Sequence, residues 1–183
     1  MDFREKLTTA WIQFLFYMRL APHAPGFLPP GKWDASRLME RQARENGDRC
    51  AIIFGDRRYT WKQAHGETSR WANFFEGRGI VPGDSVALLM DNRPEYIFAI
   101  LGLNRIDAVA ALINTNISGK GLTHAIEISE ACACVVGTEH ASKINEVRET
   151  LKEIPLEMIF EQSEAAGKAT FPSVDALLAD FST

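Results

Sequence analysis

From residue 85 onward the chain alternates short apolar runs with stretches of helical period, and that alternation leaves few folds open. Residues 85–90 (SVALLM), 109–113 (VAALI), 133–136 (ACVV) and 156–160 (LEMIF) have the length of strands and sit between turn residues. Helical patterns separate them. Asn92-Arg93-Pro94 opens the first, with Pro94 at a first-turn position where its missing N–H costs little. Residues 96–101 (YIFAIL) are apolar all round, the mark of a helix covered on several sides. Ser118 is the expected cap of a helix over 119–130, and another is expected over 139–151. Strands joined by helices pair in parallel through right-handed crossovers. The fold class expected is therefore α/β, a mostly parallel sheet with helices on both faces.

The preceding residues add a helix over 36–45 and a hairpin, with strands 50–54 (CAIIF) and 57–60 (RRYT) flanking Gly55-Asp56. Thr60 and Gln63 form a capping-box pattern at the start of a long helix. Trp61, Ala64, Thr68, Trp71 and Phe75 follow one face of it, and Gly77 and Gly79 end it. A last short helix is expected from Ser173.

Residues 7–18 (LTTAWIQFLFYM) carry no charge. As a helix they would reach about 18 Å, short of a roughly 30 Å hydrocarbon core. Three readings stand: a helix in a membrane interface with Arg4, Lys6 and Arg19 at the head groups, a helix packed on protein, or a signal peptide. Residues 21–32 (APHAPGFLPPGK) hold four prolines and two glycines, a semi-rigid linker. The expected organisation is thus an apolar helix over 1–20, a linker over 21–33 and a partial α/β domain over 34–183. Lys plus Arg number 20 against 24 Asp plus Glu, a net charge of −4, which argues against nucleic acid as a partner, since that would require a basic face. Three cysteines without framework spacing fit a reducing, cytoplasmic setting, peripheral on a membrane if residues 1–20 lie in its surface.

Candidate chemistry is sparse. Gly119-Lys120-Gly121 stands where a dinucleotide-binding turn would, but His124 occupies the third glycine's place. Asn114 stands where a phosphate-binding loop would need a glycine. Cys132 and Cys134 would face one side of a strand, and His140 alone cannot complete a zinc site with them. His23, His65, His124 and His140 show no metalloprotease spacing, and no serine occupies a nucleophile elbow. Glu146 and Glu149 read as a solvated helix face; Trp61, Trp71, Phe74 and Phe75 read as core. No catalytic, cofactor-binding or metal-binding residue is assigned.

Two stretches carry a resemblance. Asp91-Asn92-Arg93-Pro94-Glu95-Tyr96 heads the apolar helix, and Ile106-Asp107-Ala108-Val109-Ala110-Ala111-Leu112-Ile113-Asn114-Thr115-Asn116 follows it. With Leu122, His124, Ser129, Ala131 and Cys134-Val135-Val136 after them, and Tyr59-Thr60-Trp61 and Val81-Pro82-Gly83-Asp84 before, they resemble the N-terminal part of AMP-forming acyl-CoA synthetases in the adenylate-forming superfamily. Leu112-Ile113-Asn114-Thr115-Asn116 is most similar to the fatty acid transport protein, or very-long-chain acyl-CoA synthetase, branch. Ile117-Ser118-Gly119 departs from that branch's usual Leu-Arg-Gly, and Cys132 stands where many members have lysine. The resemblance implies a longer ligase that uses ATP, magnesium and coenzyme A on a fatty acid. It places the phosphate-gripping loop and catalytic lysine beyond Thr183, so this segment is expected to bind none of those groups and to be inactive alone. An incomplete sheet also suggests self-association, as in a homodimer. The alternatives are a small α/β binding protein without catalysis, or a ligase for a different carboxylic acid.

Overall fold

Local signals set the first elements of the structure, a computed structural model that describes residues 35–163 and 170–179. The helix and linker expected over residues 1–20 and 21–33 lie outside the described residues. Helix α1 (Ala35–Asn46) turns Ser36 and Met39 inward and pairs Arg41 with Glu45 and Arg44 with Glu40 on its outer face. Strands β1 (Cys50–Phe54) and β2 (Arg57–Thr60) form the expected antiparallel hairpin, with Phe54 opposite Arg57. Gly55 takes φ +55° in the turn, a conformation that side-chain-bearing residues resist.

The capping box forms as read. At the start of α2 (Trp61–Gly77), Gln63 N–H donates to Thr60 Oγ1 at 3.2 Å and Thr60 N–H to Gln63 Oε1 at 2.8 Å. Of the two glycines expected to end this helix, Gly77 is its last helical residue and only Gly79 is left-handed, at φ +81°. Gly79 N–H then reaches Glu76 O and Ile80 N–H reaches Phe75 O, which satisfies two terminal carbonyls.

The sheet contains β3 (Ser85–Leu89), β4 (Val109–Leu112), β5 (Ala131–Gly137) and β6 (Ile159–Gln162), all parallel, in the order β4-β3-β5-β6. On one face Val86, Leu88, Ala133, Val135 and Phe160 join a core with α1, α2, α3 (Pro94–Arg105) and α6 (Val174–Leu178). On the other, Ala87, Leu89, Cys134, Val136 and Ile159 pack against α4 (Gly119–Glu127) and α5 (Ala141–Val147). Burial on both faces is why β3 and β5 read as continuous apolar runs. Among the described residues the outer edge of β4 is unpaired, and no helix is long and apolar enough to cross a membrane.

Several boundaries differ from expectation. The run 156–160 is only partly strand: Leu156–Met158 forms a 3-10 turn, and β6 extends through Glu161 and Gln162. Both side chains are buried and find partners brought by the fold: Glu161 Oε2 accepts the N–H groups of Thr170 and Phe171, and Gln162 Nε2 donates to the Ser163 carbonyl, while Gln162 Oε1 is left without a partner. Helix α4 stops at Glu127, and Glu130, at φ +52°, turns the chain into β5. The helix expected over 139–151 divides into 3-10 turns around α5.

Helices α2 and α3 cross at Gly102. A Cβ there would fall 2.8 Å from Trp71 Cβ and 2.9 Å from Ala72 N. Gly102→Ala should therefore lower unfolding stability by about 1–3 kcal/mol, seen as a lower urea midpoint with an unchanged slope. The same pair of helices is bridged by His65, whose Nε2 lies 3.0 Å from Arg105 Nη1. A guanidinium can only donate, so this ring nitrogen accepts and the neutral imidazole is the bonded form. Burial first, and then the Arg105 charge, hold the His65 pKa below its ordinary 6.5. The unfolded chain therefore takes up the proton first, and stability should fall as pH drops below about 6.5. His65→Gln should flatten that part of a stability–pH profile.

Candidate functional site: a crevice at the carboxyl end of the sheet

Strand β3 exits toward α3 on one face of the sheet, while its neighbour β5 exits toward α5 on the other. Diverging exits open a crevice, and such switch points are where open parallel sheets bind ligands. The crevice, with a volume near 530 Å³, lies on the β4 side of this point, between the exits of β3 and β4, with Asp91, Asn92, Tyr96, Asn114 and Thr115 in its walls. Asn116 N–H donates to Asn114 Oδ1 at 2.9 Å, and Lys143 Nζ donates to the Thr115 carbonyl, so the loop after β4 is held in shape. Burial raises the Tyr96 pKa, which leaves a neutral hydroxyl in the wall.

One carboxylate holds the two diverging exits together. Glu139, just after β5, accepts Asp91 N–H on Oε1 at 2.9 Å and Arg93 Nη1 on Oε2 at 3.0 Å. His140 Nε2 lies 2.9 Å from Asp91 Oδ1. Gly137 makes this closeness possible: a Cβ on it would overlap both the Glu139 carboxylate and Arg93 Nη2.

Asp91, Glu139 and His140 offer atoms within 4.8 Å of one another, as three ligands of a metal would. The hydrogen bonds favour a clasp. Both Glu139 oxygens are engaged, one by a cation that would repel a metal. His140 Nδ1 is buried without a partner, so a neutral ring is better served by keeping its proton on Nε2, directed at Asp91.

The residues singled out by motif are dispersed. Gly119, at φ +52°, and exposed Lys120 begin α4, whose cap Ser118 makes no side-chain bond to the helix. Cys132 and Cys134 do not share a face. Between Ser85 and Val86 the register on β5 moves from Ala131 to Ala133, and this bulge at Cys132 puts the two thiols on opposite sides. Cys134 is fully buried, its pKa pushed up to about 12, so its thiol stays protonated and inert. His124, Glu146 and Glu149 are exposed, and His23 lies outside the described residues. Trp71, Phe74 and Phe75 are core as expected, while Trp61 packs against it half-buried. Sequence spacing missed the clasp, since Asp91 and Glu139 are 48 positions apart. The sequence marks Asp91 and Arg93 only within the stretch that carries the resemblance, and His140 only as a histidine without companion ligands.

Glu139→Gln places an amide N–H donor where Arg93 or Asp91 requires an acceptor. Stability should fall by about 2 kcal/mol, and hydrogen exchange at the Asp91 amide should accelerate. Unchanged protection of that amide would show that the clasp does not hold the loop.

A family model described as AMP-binding enzyme matches residues 39–177. The medium/long-chain-fatty-acid–CoA ligase FadD6 of Mycobacterium tuberculosis is 27% identical over 118 residues, covering 64% of this chain and 20% of that protein. Long-chain fatty acid transport protein 1 of Mus musculus is 34% identical over 116 residues, covering 62% of this chain and 18% of that protein. Among solved structures, the anthranilate CoA ligase AuaEII in complex with anthranoyl-AMP superposes with a TM-score of 0.77 at 22% identity. That alignment covers 84% of this chain and 29% of the ligase, and shows a shared fold. The chain thus spans about one fifth of the length of these curated relatives.

Proposed function

The chain belongs to the AMP-binding enzyme family, and from that premise we propose that it is the N-terminal portion of an AMP-forming fatty acid–CoA ligase. The observation that carries the reading is the family match over residues 39–177, with relatives named for fatty acids among those it aligns with. Such a ligase joins a fatty carboxylate to AMP with release of pyrophosphate, and coenzyme A then displaces AMP as the thioester forms.

Among the described residues, no lysine or arginine lines the crevice to meet a nucleoside triphosphate with its magnesium. Arg93 is bonded to Glu139, Lys143 to the Thr115 carbonyl, and Lys120 stands exposed on α4. Stabilising the charge that develops in phosphoryl chemistry requires cations and N–H groups converging on the phosphates. In this reading the phosphate chemistry is performed by other parts of a longer polypeptide, and the present segment contributes the doubly wound scaffold and one wall of the ligand crevice.

The purified 183-residue chain, given ATP, magnesium, a long-chain fatty acid and coenzyme A, should release pyrophosphate no faster than the background without enzyme. A polypeptide that continues into a lysine-containing, Ser/Thr/Gly-rich loop should turn over. Turnover by the 183-residue chain itself would place the reacting centre within it and overturn this division of labour.

A further inference from the structure

Strand β4 ends the sheet on one side, and its outer edge is unpaired among the described residues. An open row of N–H and C=O groups invites another strand, so edges are ordinarily protected by a charge, a proline, a bulge or a cover. β4 has none of the first three: its residues are Val-Ala-Ala-Leu, and its register on β3 runs without a shift. Cover is thin on both faces. Val109 is 52% exposed and Leu112 56%.

The direction of the open groups follows from the bonds to β3. Val109 N–H donates to the Asp84 carbonyl and Ile113 N–H to the Leu88 carbonyl, so the backbone groups of residues 109, 111 and 113 are turned to β3. Alternation then turns the N–H and C=O of Ala110 and Leu112 outward. The side chains divide in the same way: Ile113, and with it Val109, lies on the α4–α5 face, and Ala110, and with it Leu112, on the α3 face.

The partner that fits this edge is a short, uncharged strand with two outward residues in alternation, since residues 108–116 carry no charge to meet one. A second β4 has these properties. Across a two-fold axis at Ala111, Ala110 of each copy faces the partner's Leu112, and four N–H···O=C bonds form. Val109 then lies against the partner's Ile113 on one face, and Leu112 against the partner's Ala110 on the other. The same register brings Asp107 beside the partner's Thr115. The Thr115 carbonyl accepts from the Lys143 ammonium, so opposite charges approach at both ends of the seam. An axis at Ala110 would oppose Leu112 to the partner's Ala108, whose N–H is already given to the Leu103 carbonyl.

We propose that this chain forms a two-fold dimer through antiparallel pairing of its β4 edges, joining two four-stranded sheets into one. Four residues from each copy bury far less than the roughly 1,600 Å² of a standard interface, so the association is reversible. The inference is independent of the ligase reading.

Sedimentation of the full 183-residue chain under reducing conditions should show a monomer–dimer equilibrium that shifts with concentration. Val109→Lys sets a charge against the partner's Ile113 and should weaken association by roughly tenfold or more. Ala110→Pro removes an outward N–H that β3 does not use and should do the same, with circular dichroism checking that each variant is folded. In a Cys50→Ser background, Ala111→Cys should form an intermolecular disulfide under mild oxidation. Directly opposed residues of a non-hydrogen-bonded pair lie about 4.5 Å apart between Cα atoms, inside the roughly 4.4–6.8 Å that a disulfide spans. Val109→Cys, opposite the partner's Ile113, should not cross-link. A monomer at every concentration up to about 1 mM, a dimer indifferent to both substitutions, or equal cross-linking at positions 109 and 111 overturns the inference. Hydrogen-exchange protection of the Ala110 and Leu112 amides in a monomer overturns it too, by placing a strand of the same polypeptide on the edge.

Discussion

Strand β3 is buried on both faces, and the remainder of the structure is arranged to keep it so. Val86 and Leu88 point to one core and Ala87 and Leu89 to the other, all without solvent exposure. No single helix can cover both sides of a strand. The chain must place α3 on one face and α4 and α5 on the other, and right-handed crossovers then dictate that β4 and β5 flank β3. The order β4-β3-β5-β6 follows from this two-sided burial.

The crevice is a by-product of the same constraint. Neighbouring strands whose exits leave toward opposite faces cannot close over one another, so backbone polar groups at their carboxyl ends need partners from elsewhere. Glu139 meets part of that need: one carboxylate pairs a backbone N–H and a guanidinium from the opposite exit. The absence of a side chain at Gly137 is the geometric condition for it. A glycine ending an apolar strand would ordinarily be read as a simple turn, and here it makes room for an ion pair.

Much of the fold was legible because it depends on local chemistry. The capping box at Thr60 and Gln63, the hairpin turn at Gly55, Pro94 opening α3 and the apolar runs of β3 and β5 each act over a few residues, and each is found where the pattern places it. The failures arise where a distant partner decides. Glu161 and Gln162 look too polar for a buried strand until the Thr170 and Phe171 N–H groups are brought to Glu161. Alternation places Cys132 and Cys134 on one face, but a bulge against β3 separates them. The clasp was illegible for the same reason: its members come from two loops that only the sheet order makes adjacent. The resemblance identified the residues around Arg93 without indicating what that side chain does.

Arg93 links these levels. Its backbone caps α3, its Nη1 closes the clasp across the switch point, and its Nη2 lies beside Gly137. Glu139 also holds the Asp91 amide, so one carboxylate, bonded to Arg93 at 3.0 Å and largely shielded from water, fixes both the start of α3 and a wall of the crevice.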